Sequence, residues 1–519
     1  MQNESEGNIR GQLSRRQAVG LGLAALLTPG HALAAGKGLK FGQPQAFSWE
    51  WLQNHALALA SRPYVKPRRI DAAAAIDYDA LNHIHYRADA ELWRGRDEGA
   101  VRFFPLSVTA REPVTISVVE RGAAREILWS PDLFDTPANN PLRKFIGDKG
   151  GFAGFRVMNP SGVGDWLAYL GASYFRSAGP LDQYGLSARA IAVDVALHTV
   201  EEFPLFTHFW LEQQPDTTLI YALLDGPRMA GAWRFVVRHA GDEVVQDVSA
   251  MVFLRDDVAR LGLAPLTSMY WYGETERGPR TDWRPEVHDS DGLLMHNGRD
   301  EWLWRPLRNP SALKINAFVD NNPRGFGLMQ RDRVYGHYED DGVFYHKRPS
   351  LWVEPQGDWG EGAVELVEIP TVSEVDDNIV AFWRPANPAK KGQRLDFHYR
   401  LRWLKDEPDH SPLARVVATR SGLGGIPGAR AQEDVLKLVV DFEGPGLKGL
   451  GRNSGVDVDI LTILGKVVAH SIYPVVERDG RWRLMLDVVP EPGATMDLRA
   501  TLHHDGKPLS ETWLYQVTP

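Results

Sequence analysis

Along the chain, apolar and polar positions follow two grammars. Near the start they recur at helical spacing: Ser48 stands ahead of Trp51, Leu52, His55 and Leu59, and Pro63 follows. That order predicts a helix capped by a hydroxyl and ended by a proline. A second stretch, 79–93, places Leu81, Ile84, His85 and Leu92 on a common side and predicts another helix. From Val101 to about Trp403 the runs become short, apolar or alternating, and are broken by Gly, Pro and Asn, which is the pattern of strands and loops. Runs at 114–119, 218–224, 233–237, 351–353 and 397–401 are examples. About three hundred residues in this style predict one large antiparallel β-sandwich.

Between 406 and 430 the chain turns polar and Gly-rich, ending in Ser421-Gly422-Leu423-Gly424-Gly425, and predicts a linker. Regular strands follow at 435–442, 456–464, 482–488 and 496–502. Trp482, Leu484, Leu486 and Val488 share one face, as do Met496, Leu498, Ala500 and Leu502. Asp479-Gly480 and Asp505-Gly506 are hairpin pairs. Roughly a hundred residues of this kind fit an immunoglobulin-like sandwich. The predicted fold class is therefore all-β, a large N-terminal sandwich followed by a smaller C-terminal one.

The first residues read as an address. Ser14-Arg15-Arg16 precedes an apolar run at 18–27, the breaker Thr28-Pro29-Gly30 and the small residues Ala32-Leu33-Ala34. Such a run spans about 15 Å as a helix against about 30 Å of hydrocarbon, so a secretion signal is expected rather than a membrane span. The paired arginines suggest twin-arginine export, although Ala18 replaces that motif's usual bulky apolar residue. The whole chain carries a formal charge of −9. Removing residues 1–34, with three basic and two acidic groups, leaves −10. Scattered basic residues on an acidic chain leave no footprint for nucleic acid.

Cysteine is absent, which removes disulfides, thiolate metal sites and cysteine nucleophiles. Seventeen Trp supply flat rings for a core or for stacking on sugars. The chain has no His-Glu-x-x-His, nucleophile elbow or Walker loop. Gly444-Pro445-Gly446-Leu447-Lys448-Gly449 matches the dinucleotide fingerprint, but no helix follows it, so it reads as a hairpin loop. His288-Asp289-Ser290-Asp291-Gly292 groups metal-ligand types at no standard spacing and reads as a turn or a catalytic loop. Loops at 320–327, 345–352 and 374–383 combine acids, Arg and aromatics, the residue types of a sugar cleft. Glycosidic cleavage needs a protonated carboxyl beside the leaving oxygen and, with inversion, a second carboxylate to activate the nucleophile. Residue types alone do not select that pair from 67 acids.

Longer motifs narrow the field. Gly151-Phe152-Ala153-Gly154-Phe155-Arg156, Gly171-Ala172-Ser173-Tyr174-Phe175-Arg176, Gln183-Tyr184-Gly185-Leu186-Ser187-Ala188-Arg189, the segment 320–327, and Lys347-Arg348-Pro349-Ser350-Leu351-Trp352-Val353-Glu354-Pro355 occur in this order. The sequence resembles the periplasmic glucan biosynthesis family over essentially all of the chain beyond the signal, closest to its D-type branch. The resemblance implies a galactose-mutarotase-like sandwich over 35–408, and a linker with an immunoglobulin-like domain over 409–519. It implies a periplasmic location and action with anomeric inversion on β-1,2-glucan, as an endo-hydrolase or a transglycosylase. By motif, Asp377 matches the family's general acid and Asp289 its general base. The resemblance implies a proton relay through water and a substrate hydroxyl with Tyr345 and Arg348 close to it, and Glu374 and Trp352 are candidate substrate contacts. Residues flanking Tyr345, Arg348 and Glu374 depart from the family pattern, so water and sugar both stay open as acceptor. No cofactor and no metal are expected. Expected partners are β-1,2-glucan, other glucan-synthesis proteins and a second copy of the chain. A noncatalytic glucan-binding scaffold is the alternative, and Asp340-Asp341-Gly342 is a candidate hinge beside the cleft.

Overall fold

The alternating runs become strands that pair mostly antiparallel. The computed structural model describes residues 38–96, 99–276, 282–408, 412–425, 428 and 432–518, so the expected signal at 1–34 lies outside the described residues. Among those described, the strands build a sixteen-stranded and a ten-stranded sheet, with a separate four-stranded sheet in the C-terminal region. The molecule is all-β with short helical insertions.

Period-two alternation explains the main core. The ten-stranded sheet contributes Phe155, Tyr169 and Trp383, and the sixteen-stranded sheet Phe209, Trp233 and Trp403, to one continuous apolar cluster. Burying each such ring contributes on the order of 2–3 kcal/mol. The predicted first helix forms over Trp49–Ala60, with Ser48 Oγ accepting from the Trp51 N–H. Leu52 and Ala56 dock on the outer face of the large sheet, against Trp210, Tyr221 and Phe253. Trp51 and His55, expected on the packed side, stack on each other at the exposed flank.

The second predicted helix is cut short. The α-helix covers Tyr78–Asn82, after which His85–Tyr86 pairs as a strand with Phe134–Asp135 and a single 3₁₀ turn follows at Ala88–Ala90. The His83 imidazole bonds the Asp79 carbonyl and the Asn140 amide bonds the Ala80 carbonyl, so acceptors the next turn would use are already taken. The Gly-rich stretch expected as linker is likewise partly strand: Arg415–Gly424 pairs with Gln432–Glu443. Glycine is needed at 424 because a Cβ there would sit 2.4 Å from Val435 Cγ1.

Toward the C terminus the sixteen-stranded sheet continues through Trp302–Pro306, which pairs in parallel with Thr512–Val517. A second core lies there, filled from the four-stranded sheet by Phe442, Trp482 and Leu484, and from the large sheet by Met496, Leu498 and Trp513. The 444–449 segment holds a short turn at Pro445–Leu447 and is not the hairpin loop expected, because it leads from Gln432–Glu443 of the four-stranded sheet to Val456–Ile463 of the sixteen-stranded one. Asp505-Gly506 closes a two-residue hairpin with both residues at positive φ, the backbone this pair favours.

Candidate active site

Segments joined to both large sheets bring the candidate residues together. Asp289 follows the strand Val287–His288, and its N–H donates to the Met269 carbonyl at 2.8 Å. Asp377 immediately precedes Asn378 and Ile379–Pro385, a strand of the ten-stranded sheet. Asn378 is buried and acts as a strand mimic: its Oδ1 accepts from the Tyr270 N–H at 2.8 Å, while its Nδ2 donates to the carbonyls of Tyr270 and Ile369. That anchor fixes the backbone on which Asp377 stands. Tyr345 opens a tight turn, Tyr345–Lys347, that runs into Ser350–Gln356 of the sixteen-stranded sheet. The buried amide of Gln330 holds this turn through the Tyr345 carbonyl and bonds His288 on its other side.

The charges converge. Asp289 is buried, and Arg348 Nη1 lies 3.2 Å from its Oδ1. Burial pushes the Asp289 carboxyl up, against the opposing pull of Arg348, His288 and Arg176. The Asp377 carboxyl is exposed yet crowded by protein, and it too is pushed up, first by desolvation and then by the charge of Asp289. Among the described residues no guanidinium pairs directly with Asp377, although Arg176 and Arg348 both lie within electrostatic reach. The Tyr345 hydroxyl donates to Glu374 Oε2, and its ring lies beneath the Arg348 guanidinium, 4.8 Å from the centroid. Glu374 also accepts from Arg284 Nη1 at 2.7 Å, and this bond, first among its causes, holds the carboxyl below its ordinary range.

Five of the six residues singled out from the sequence, Asp289, Asp377, Tyr345, Arg348 and Glu374, therefore share one site. Trp352 does not. Its indole is buried in the second core and stacks on Trp302, with centroids 5.9 Å apart. Strand alternation is the reason: Leu351 and Val353 enter the main core, which sends Trp352 to the opposite face. Asp320, in another loop read as sugar-binding, accepts from the Gly298 N–H at 3.0 Å, which is turn chemistry.

Sequence reasoning passed over several neighbours. Arg176 stacks on Tyr184 at 4.6 Å, and the Tyr184 hydroxyl is fixed by Asp165. Gly185 leaves room for Arg348, since a Cβ there would meet Arg348 Cδ at 3.0 Å. These residues stand in the motifs 171–176 and 183–189, where the signal was present without a role attached. Arg284 sits in no motif, and only the fold reveals it. Glu286, Asp332 and His337 each bring one possible ligand atom within 4.8 Å of the others. All three are engaged internally: His337 binds Asp332, and Glu286 binds His288.

The sequence matches the family Periplasmic glucan biosynthesis protein, MdoG, over residues 47–517. The chain belongs to this family. It is 47% identical to glucans biosynthesis protein D 2 of Ralstonia nicotianae, covering 96% of this chain and 95% of that one. It is 46% identical to glucans biosynthesis protein D 1 of the same organism, over 98% of each chain. The Xanthomonas campestris glucans biosynthesis protein D is 45% identical, over 96% and 95%. Membership in this family places the chain in periplasmic glucan biosynthesis. Among the described residues no helix is long and apolar enough to cross a membrane.

Proposed function

We propose that the protein acts on the β-1,2-glucan backbone of periplasmic glucans with inversion at the anomeric carbon, using Asp377 as general acid and Asp289 as general base. The observation that carries this reading is a pair of carboxyls in mutual electrostatic contact of which one, Asp289, has its own guanidinium. Such a pair titrates jointly, so ionisation of one disfavours ionisation of the other, and in this reading the charge falls to Asp289, 3.2 Å from Arg348, and the proton to Asp377. Asp377 then gives its proton to the glycosidic oxygen as the C–O bond breaks. The nucleophile forms the new bond from the opposite face, and its proton passes to Asp289 through a relay of water and a substrate hydroxyl. Arg348 and Tyr345 border that route, and Glu374 holds the Tyr345 hydroxyl. When the nucleophile is water the result is hydrolysis; when it is a sugar hydroxyl, transglycosylation.

The test is incubation of purified protein with linear β-1,2-glucan, with product masses followed by mass spectrometry. Shorter chains that each gain one water are the expected result for a hydrolase, and redistributed or water-free products for a transglycosylase. Asp377→Asn and Asp289→Asn are expected to slow turnover by ~10²–10⁴-fold while glucan binding persists. Full turnover by Asp377→Asn would overturn the assignment, and unchanged glucan across a range of pH would favour a binding scaffold.

A further inference from the structure

Arg284 takes no part in the site as read from sequence, yet one guanidinium there meets three carboxylates from three separate segments. Its Nε and Nη2 donate to Asp282 at 3.0 and 2.9 Å, and its Nη1 donates to Asp340 at 3.0 Å and to Glu374 at 2.7 Å. The side chain is 11% exposed, and its Cζ lies 5.9 Å from the centre of the Tyr345 ring. Asp340 in turn closes the turn ahead of Tyr345, accepting from the N–H groups of Gly342 and Val343. One cation therefore links the segment that carries Tyr345 to the loop that carries Glu374 and Asp377.

We propose that Arg284 is a positioning residue of the cleft: by binding Asp340 and Glu374 together it locks the Tyr345 hydroxyl onto Glu374 and so sets the path by which the nucleophile loses its proton. This rests on the reading given under Proposed function. The chemistry follows from the proton count. A phenol has one proton to donate. Spent on Glu374, it leaves only oxygen lone pairs free, so Tyr345 receives a hydrogen bond from the water or sugar hydroxyl of the relay and does not compete for Asp289. While charged, Glu374 can only accept and so holds the phenol proton; once protonated it can itself donate and turn the contact around, and Arg284 is the cation that keeps it charged. Asp282, Tyr345 and Arg284 act on the charge of Glu374, while Tyr272 and Asp289 are in turn sensitive to it. Without Arg284 the acidic neighbours are unopposed, and Glu374 takes up a proton at higher pH. A surface ion pair would produce none of this, because Glu374 reaches Tyr345 directly and Arg284 is nearly buried.

Steady-state kinetics on linear β-1,2-glucan across pH, with wild type, Arg284→Ala and Arg284→Lys, test the role. Arg284→Ala is expected to lower kcat by ~10²-fold with KM changed by less than about threefold, and to move the acid limb of the kcat profile upward. Arg284→Lys, which keeps the charge but not the planar fork, is expected to recover about tenfold of that loss and most of the pH shift. A wild-type kcat in Arg284→Ala, a loss confined to KM, or superimposed pH profiles would overturn the role. Should Arg284→Ala fail to fold, as judged by its thermal transition, Arg284→Lys decides: an acid limb displaced from wild type supports the role, and an unmoved one overturns it. A wild-type protein inactive at every pH overturns the functional reading itself, whereas active wild type with unaffected variants overturns only the part assigned to Arg284.

Discussion

At the residue scale, the site works through unequal neighbours of like groups. Asp289 and Asp377 are both carboxyls pushed up by desolvation, and Arg348 and Arg176 pull against it on each; they differ in that Arg348 lies 3.2 Å from Asp289, whereas Asp377 is raised further by the charge of Asp289. His288 adds to that difference from behind. It is buried between Gln330 and Glu286, and although burial alone would push its pKa down, Asp291 and Glu286 outweigh burial and hold it up to about 9. A histidine whose pKa is raised on folding binds its proton more tightly in the fold than in the unfolded chain. Its contribution is therefore complete below the unfolded value of 6.5 and is lost as pH rises through about 9. Denaturant unfolding at a series of pH values should show His288→Gln less stable than wild type by on the order of 3 kcal/mol below the unfolded pKa, with the gap closing on the alkaline side. A gap independent of pH would mean that His288 stays neutral.

At the element scale, the strands were legible and the side-chain partners were not. Alternation along 482–488 and 496–502 gave the right buried faces, because a strand with one face in a core carries its register in its own sequence. The short helix 78–82 defeated the same approach, since the Asn140 amide that bonds one of its carbonyls is 60 residues away. Among site residues, Asp289, Asp377, Tyr345, Arg348 and Glu374 came from motif resemblance. Arg284 and Asn378 act through partners 90 and 108 residues distant, which no local window contains. Trp352 failed for a reason visible afterwards in its own strand: aromatic type says nothing about which face a residue takes. Its true role makes a packing prediction. The indole lies over Gly325 on the neighbouring strand Gly325–Met329, and a Cβ at 325 would stand 2.2 Å from Trp352 Cζ2. The ring is held by Trp302 and the second core, so it has little room to yield. Gly325→Ala is expected to destabilise by roughly 1–3 kcal/mol, read as a lower Tm. An unchanged Tm would show that the strand shifts freely.

At the scale of the whole molecule, the C-terminal strand Arg415–Gly424 meets the large sandwich across a small cavity of about 40 Å³ that lies directly behind the candidate base. His288, Glu286 and Asp291 line it on one side and Val416, Ala418 and Thr419 on the other. Ties across this junction are polar: Thr275 Oγ1 donates to the Thr419 carbonyl at 2.8 Å, and Arg331 donates to the Val416 carbonyl and to Glu511. Glu274 accepts from the Thr419 N–H and pairs with Arg420 at 3.1 Å, yet desolvation by the protein packed around its partly exposed carboxyl outweighs both and pushes it up to about 8. An acid whose pKa is raised on folding stabilises the fold fully below its unfolded value of 4.5, and that contribution is lost as pH rises through about 8. The junction therefore carries a cost in mildly alkaline solution that a neutral amide would not. Glu274→Gln keeps an acceptor for Thr419 and removes the charge, so its Tm should match wild type in acid and exceed it above pH 8, by ~1–3 kcal/mol in unfolding free energy. The pairing with Arg420 is the competing effect. If that ion pair outweighs desolvation, Glu274→Gln will instead lose stability as pH rises, and thermal scans on either side of pH 8 distinguish the two signs.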